Sequence, residues 1–303
     1  MRRRDLAVAC ALDLALGDPP GWPHPVRAFG AAIAFADRRR ARAASPARAL
    51  AQGALLTIAL AGTAALAGRL VERRSRTLAV VLGASTLAMR SLDDAVAAVQ
   101  HALERADLDA ARCALAAIVG RDVDDLDASG VVAAALESLA ESFCDGVVAP
   151  LFWLRVGGLG GALAFKAIST LDSMIGHREP PYTWFGRVAA RADDLANAVP
   201  ARIAALAVAL AARGRVARRR AVATALCDAP AHASPNGGWP EAALAGALAV
   251  RLGGRAWYDG VRADRAVLGP TFAPPRLGDL ARGRRLVRRA TAAVVALTLA
   301  SAR

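Results

Sequence analysis

Three groups of residues in this chain have types and spacings that could do chemistry. Glu137, Glu141 and Asp145 follow one another at intervals of four. On a helix they share one face, and three acids on one face repel, so they call for a cation: Mg²⁺, an arginine or a substrate ammonium. Asp193, Asp194 and Asn197 fall within one helical turn. Two acids and an amide suit Mg²⁺, a hard cation that keeps waters and bridges to phosphates. Gly157-Gly158-Leu159-Gly160-Gly161 precedes Lys166, Ser169, Thr170, Asp172 and Ser173. No Gly-Lys-Ser/Thr occurs there, so it is not a P-loop. On a helix, Lys166, Ser169/Thr170 and Ser173 nevertheless form a stripe able to offer an ammonium and hydroxyls to a phosphate. Each group has a plainer structural reading. The first is a solvated acidic face with arginine partners, the second an N-cap for a helix starting near Pro200. The third is a set of helix-packing glycines with a snorkelling lysine.

Two rigid loops add polar groups. His232 precedes Ser234-Pro235-Asn236-Gly237-Gly238-Trp239-Pro240-Glu241, a dense run of turn residues. Gly17-Asp18-Pro19-Pro20 leads to His24-Pro25-Val26-Arg27. Either histidine could act as an acid/base group, although a packed histidine is the commoner outcome.

The elements that must position these residues are apolar. Of the 303 residues, 55% are hydrophobic and 21% charged, which excludes disorder as the dominant state. Four scattered cysteines, Cys10, Cys113, Cys144 and Cys227, form no C-x-x-C and no zinc spacing, excluding a secreted disulfide framework. The net charge of +13 comes almost entirely from arginine, Lys166 being the only lysine. Part of this is GC-rich coding style. Aromatics, at 5%, are not interleaved with the arginine runs, so a nucleic-acid groove with stacking rings is not expected. Arginines flanking apolar segments fit a membrane protein better. Ala49–Gly68 carries no charge and is long enough to cross a bilayer. The other apolar runs, 6–17, 77–89, 147–154, 203–212 and 290–302, are shorter. Basic clusters lie on both sides of the long run (Arg38, Arg39, Arg40, Arg42 and Arg48; Arg69, Arg73, Arg74 and Arg76), so the positive-inside rule gives a divided vote. The arginines at 2–4 and the apolar stretch after them resemble a signal peptide, but Asp13 interrupts the stretch and no small-residue cleavage site follows. The segment reads as part of the mature protein.

Leu92, Val96, Val99 and Leu103 form an amphipathic helical stripe, and Asp107 is placed to cap a following helix. Pro150 is expected to end or kink the element before it. Strand signals are scarce. The expected fold is therefore all-α. It is one integral-membrane domain over residues 1–303, a polytopic helical bundle with short, broken or re-entrant helices and polar motif loops.

Several motifs occur in one order: Gly17-Asp18-Pro19 with His24-Pro25-Val26; Glu141 and Asp145-Gly146-Val147-Val148-Ala149-Pro150-Leu151-Phe152; Leu171-Asp172-Ser173-Met174-Ile175-Gly176; Ala190-Arg191-Ala192-Asp193-Asp194 with Asn197 and Pro200-Ala201-Arg202; and Ser234-Pro235-Asn236-Gly237-Gly238. Together, over roughly residues 5–260, they resemble the adenosylcobinamide-phosphate synthase family of cobalamin biosynthesis. Ser142 departs from the family pattern, which has Asn after the glutamate, and the stretch after Gly260 carries little of the likeness. The resemblance implies a multi-pass enzyme of the bacterial inner membrane. It would join aminopropanol, or its O-phosphate, to the propionate carboxylate of adenosylcobyric acid, consuming ATP with Mg²⁺. The corrinoid would be a substrate, and membrane lipid and other cobalamin-pathway enzymes would be the partners, with no nucleic acid. On this reading Glu141, Asp145, Lys166 and Asp172 are catalytic candidates. His24, Arg191, Ser234, Asn236 and Glu241 bind substrate, and Asp193, Asp194 and Asn197 hold the metal. Two rivals use the same residues. A membrane prenyltransferase would pair Asp193-Asp194 with the acids of 122–127, and a corrinoid permease would place short broken helices around a midplane site.

Overall fold

The computed structural model describes residues 1–18, 21, 24–40 and 45–302. Pro19, Pro20 and Arg42 lie outside the described residues. In chain order the elements are α1 (Arg3–Leu16), α2 (Pro25–Arg39), α3 (Pro46–Arg74), α4 (Arg76–Ala84), α5 (Met89–Glu104), α6 (Leu108–Ala116), α7 (Ala128–Phe143), a π turn (Cys144–Val148), α8 (Ala149–Ile175), α9 (Arg187–Ala211), α10 (Arg215–Asp228), a 3₁₀ turn (Ala229–Ala231), α11 (Gly238–Leu248), β1 (Leu252–Tyr258), β2 (Val261–Leu268) and α12 (Leu277–Ser301).

The chain divides into two compact units, one of residues 1–88, 149–197 and 297–303, the other of residues 89–148 and 198–296. Three helical stretches are long and apolar enough to cross a membrane: Pro46–Arg74, Ala128–Ile175 and Arg187–Ala211. The first contains the expected Ala49–Gly68 run. The other two are longer than their charge-free cores because the helices continue through polar residues.

In the first unit, α3 packs along α8 at backbone contact. A Cβ added to Gly68 would stand 2.7 Å from Gly160 Cα, and one added to Gly160 would stand 2.7 Å from Ala65 O. Such close approach is what small residues permit between apolar helices. Gly158 has φ +61, breaking α8. The Glu72 carboxylate accepts a hydrogen bond from Leu159 N at 2.9 Å across the break, satisfying a backbone donor that the kink frees. The glycine run is therefore a packing and kinking device, as its structural reading held. Gly68→Ala is expected to force α3 and α8 apart and cost about 1–3 kcal/mol, measurable as a lowered melting temperature in detergent.

In the second unit, Val96 and Val99 of α5 are fully buried, and Asp107 caps α6 by accepting from Ala110 N at 2.9 Å, both as expected. Asp127 caps α7, accepting from Gly130 N at 2.7 Å. Four expectations need correction. The fold is not purely helical: β1 and β2 form an antiparallel hairpin, closed by Asp259 (φ +50) and Gly260 (φ +75). Two positive φ values in an Asp-Gly pair match the twist of the flanking strands. Pro150 does not end its helix. The proline lacks an N–H and would clash with the preceding turn, and the π turn just ahead of it widens the helix so that α8 continues. Asp145 falls in that wider turn, past the end of α7, so the three acids do not share one regular helix. No helix starts near Pro200: α9 runs through it from Arg187 to Ala211.

Candidate functional site

The second unit holds a cluster of buried charges. Glu137, on α7, lies under the β-hairpin. Its Oε2 accepts from Arg121 Nη2 at 2.9 Å and from Arg265 Nη1 at 2.7 Å. Its Oε1 accepts from the backbone N of Gly253 at 2.8 Å. The carboxylate is 5% exposed and the two guanidiniums 9% and 19%. One acid thus ties the loop before α7 and both hairpin strands to a single helix. The hairpin is held at its far end by Asp122, whose carboxylate accepts from Asp259 N and Gly260 N at 3.1 and 2.8 Å. The acids at 122 and 127 are thus engaged in a turn and a cap.

Beside the cluster opens a cavity of about 540 Å³, lined among others by Gly120, Arg121, Glu137, Glu141, His232, Ser234 and Arg265. The Glu141 side chain is open to it, and among the described residues no hydrogen bond or ion pair engages its carboxylate. One turn away, Glu137 is fully committed to its arginines. A cavity of this size admits a small polar molecule or the end of a larger one.

Behind the wall stands Glu241. It projects from α11, whose residues are buried nearly all round, the mark of a helix deep in a core. Its side chain is 1% exposed, its oxygens lie 3.7 Å from His232 Nε2 and from Arg265 Nη2, and among the described residues neither oxygen has a hydrogen-bond partner. Burial pushes its pKa well up, and the charges of Glu137 and Glu141 add to this against the opposing pull of Arg265 and Arg121. Burial, with the nearby Arg265 charge, pushes His232 below its ordinary value despite the backbone contact at Ser234. Arg265 Nη2 lies 3.3 Å from His232 Nε2. On its other side His232 Nδ1 accepts from Ser234 N at 3.1 Å and lies 3.3 Å from Ser234 O, so both ring nitrogens are engaged. Arg265 itself is raised: burial works against its charge, but Glu137 and Glu241 outweigh it.

The raised carboxyl makes a stability prediction. The native state binds the Glu241 proton more tightly than the unfolded chain, so its contribution is fully present below about pH 4.5. It is lost as pH climbs through the raised native value. Glu241→Gln should flatten the fall in melting temperature between pH 5 and 8. Parallel curves for both proteins would refute this.

The remaining predicted residues lie as follows. Ser234 lines the cavity and its Oγ accepts from Asn236 N and Gly237 N at 3.2 and 3.1 Å, shaping the turn into α11. Asn236 is buried and accepts from Arg202 Nη1 at 2.6 Å. Asp145 is part-buried and does not line the cavity. In the first unit, the hydroxyls of Thr170 and Ser173 donate to the carbonyls of Lys166 and Ser169 at 2.6 and 3.0 Å. The expected stripe is present, with these hydroxyls turned to their own helix. Lys166 Nζ stands 5.9 Å from the Phe165 ring. Asp172 sits a turn before the end of α8, its carbonyl accepting from Gly176 N at 2.7 Å. Asn197 Nδ2 donates to Asp193 Oδ2 at 3.0 Å, and Asp194 pairs with the exposed Arg191 at 3.3 Å. Among the described residues no group of three His, Cys, Asp or Glu is set to hold a metal ion. His24 caps α2, its Nδ1 accepting from Val26 N at 3.2 Å, with Nε2 3.4 Å from Asp18. It lines a mainly apolar cavity of about 480 Å³ with Asp13, Asp18 and Arg27.

Residues 6–287 match the protein family described as CobD/Cbib protein. The chain belongs to the CobD/Cbib family. It is 45% identical to the cobalamin biosynthesis protein CobD of Rhodobacter capsulatus over 309 residues, covering 95% of this chain and 93% of that one. It is 44% identical to the protein of that name from Sinorhizobium sp, over 92% and 91% of the two chains. It is 40% identical to that of Klebsiella pneumoniae, over 96% and 94%. No solved structure matches the chain. The CobD/Cbib match extends past Gly260 to residue 287, so the likeness does not stop where the motifs thin out. It takes in the hairpin and Arg265. Arg121 and Arg265 of this CobD/Cbib chain are the two site residues that motif reading missed.

Proposed function

We propose that this chain is the amide-forming ligase of cobalamin biosynthesis. It would join aminopropanol, or its O-phosphate, to the propionate carboxylate of adenosylcobyric acid at the expense of ATP, in a multi-pass enzyme of the bacterial inner membrane. Membership of the CobD/Cbib family supports the pathway. The observation that carries the chemistry is the contrast between two neighbouring acids: Glu137 is neutralised by two arginines, whereas Glu141 faces the cavity unengaged.

An amide cannot form from a free carboxylate without activation. The simplest balanced route has the propionate oxygen attack the terminal phosphorus of ATP, with ADP leaving. The amine nitrogen then attacks the acyl carbon, inorganic phosphate leaves, and the amine proton passes to Glu141. Arg121 and Arg265 border the cavity and offer charge-assisted donors to an entering phosphate or carboxylate. Asp193 and Asp194 are the residues that would hold Mg²⁺. Among the described residues no group of three His, Cys, Asp or Glu is set to hold a metal ion, so two acids fit a cation completed by water and phosphate. When bound, the ion would screen phosphate charge.

The test is a ligase assay on detergent-purified protein with adenosylcobyric acid, aminopropanol phosphate, ATP and Mg²⁺, following adenosylcobinamide phosphate by mass spectrometry. Product that requires ATP is expected, and Asp193→Asn with Asp194→Asn should lose most of the turnover. Corrinoid binding without product would overturn the ligase reading, and full activity in the double variant would remove the metal role from these acids.

A further inference from the structure

The arginines of the second unit sort into two sets. On α12, Arg284 and Arg288 turn inward and both bind Asp93. Burial alone would raise that carboxyl, but their hydrogen bonds hold it below its ordinary value. Arg282 pairs with Asp279 at 2.6 Å. Arg285 and Arg289, also four apart, lie on another face, with Arg289 Nε donating to Arg285 O at 3.3 Å. Arg213 stands close enough that it and Arg285, after burial, depress the Arg289 guanidinium. Arg213 comes two residues after α9, a candidate span, and Arg215 and Arg219 follow on α10. Among the described residues, no carboxylate lies within ion-pair distance of Arg213, Arg215, Arg219, Arg285 or Arg289.

Arginines gathered on one surface raise the local positive potential and attract anions. The surroundings say which kind. On α9, Leu206 and Leu210 are more than half exposed and lead toward Arg213. On α10, Val216 and Leu226 are exposed beside the arginines. Exposed aliphatic side chains flanked by cations are how a helix lies in a bilayer interface. A nucleic-acid groove would bring stacking rings instead.

We infer that Arg213, Arg215, Arg219, Arg285 and Arg289 form a docking surface for anionic lipid headgroups at the end of α9. The inference rests on the membrane part of the proposed reading and not on the ligase chemistry. By the positive-inside rule it puts this end of α9 at the cytoplasmic leaflet.

The experiment is native mass spectrometry of the full-length protein in detergent, titrated with phosphatidylglycerol or phosphatidylcholine. Preferential retention of phosphatidylglycerol is expected. Each arginine lost should weaken it about fivefold, so the Arg213→Gln, Arg285→Gln, Arg289→Gln variant should fall on the order of 100-fold. The matching triple lysine variant should retain the preference, and the glutamine variant should keep its ligase rate in detergent. Equal retention of both lipids, or a preference that survives the glutamine changes, would overturn the inference. So would displacement of the lipid by 10 mM inorganic phosphate, marking a free-anion site, or by duplex DNA. A glutamine variant that folds but loses ligase activity would place these arginines in catalysis.

Discussion

Glu141→Gln should leave a folded, substrate-binding protein with turnover reduced by about 10²–10⁴-fold. The substitution is isosteric and removes the charge and the basic oxygen together. Because no ion pair among the described residues holds Glu141, little stability depends on it, so melting temperatures of the two proteins should coincide. The loss should fall on kcat, with the KM for the amine rising less, since a base acts in the transition state while the ammonium is only partly held by it. Glu141→Asp should recover part of the rate. Turnover near wild type in the glutamine variant would mean that the amine loses its proton elsewhere.

The second large effect is structural. Glu137→Ala should cost about 3–5 kcal/mol, because it strands the buried guanidiniums of Arg121 and Arg265 with no carboxylate between them. It also removes the acceptor for Gly253 N, one of the bonds that dock the hairpin. Denaturant unfolding in detergent should show the loss. Asp122→Ala is the comparison: it frees only the hairpin turn, and should cost about 1 kcal/mol. A Glu137→Ala protein within 1 kcal/mol of wild type would show that water reaches the arginines and that the pair is not buried in solution.

Helical content was readable because its signals are local. The Val96–Val99 stripe, the Asp107 cap and the charge-free run before Gly68 each declare themselves within one or two turns, and each is where it was expected. The hairpin had a local signal too, Trp257-Tyr258-Asp259-Gly260-Val261, an aromatic run closed by Asp-Gly. It was hidden because β1 opens with two glycines and a bulge, and β2 is crowded with arginines. The π turn left only Pro150 as a trace, which fits an ordinary kink equally well. Glu141 was legible as one of three spaced acids, yet nothing local separated it from Glu137. That distinction comes from Arg265, 128 residues away. In a chain with 39 basic residues, nearly all arginine, two that enter a core look like all the others. The Gly157–Gly161 run left two readings open, since glycines that admit a neighbouring helix look the same in sequence as glycines that admit a phosphate, and the contact of Gly160 with α3 shows the first.

The spacing of the charge cluster has a consequence for biogenesis. Arg121 precedes Glu137 by 16 residues, whereas Arg265 follows by 128. At about 5–20 residues per second of synthesis, Glu137 waits roughly 6–26 s for its second arginine. During that interval its segment, which belongs to a candidate span, has only the Arg121 pair to offset its charge. The earlier arginine is therefore available to offset Glu137 as the segment is made, and the later one joins only after the hairpin has been synthesised. Until then the nascent chain holds Glu137 and Glu141 without the strand that carries Arg265 and lines their cavity.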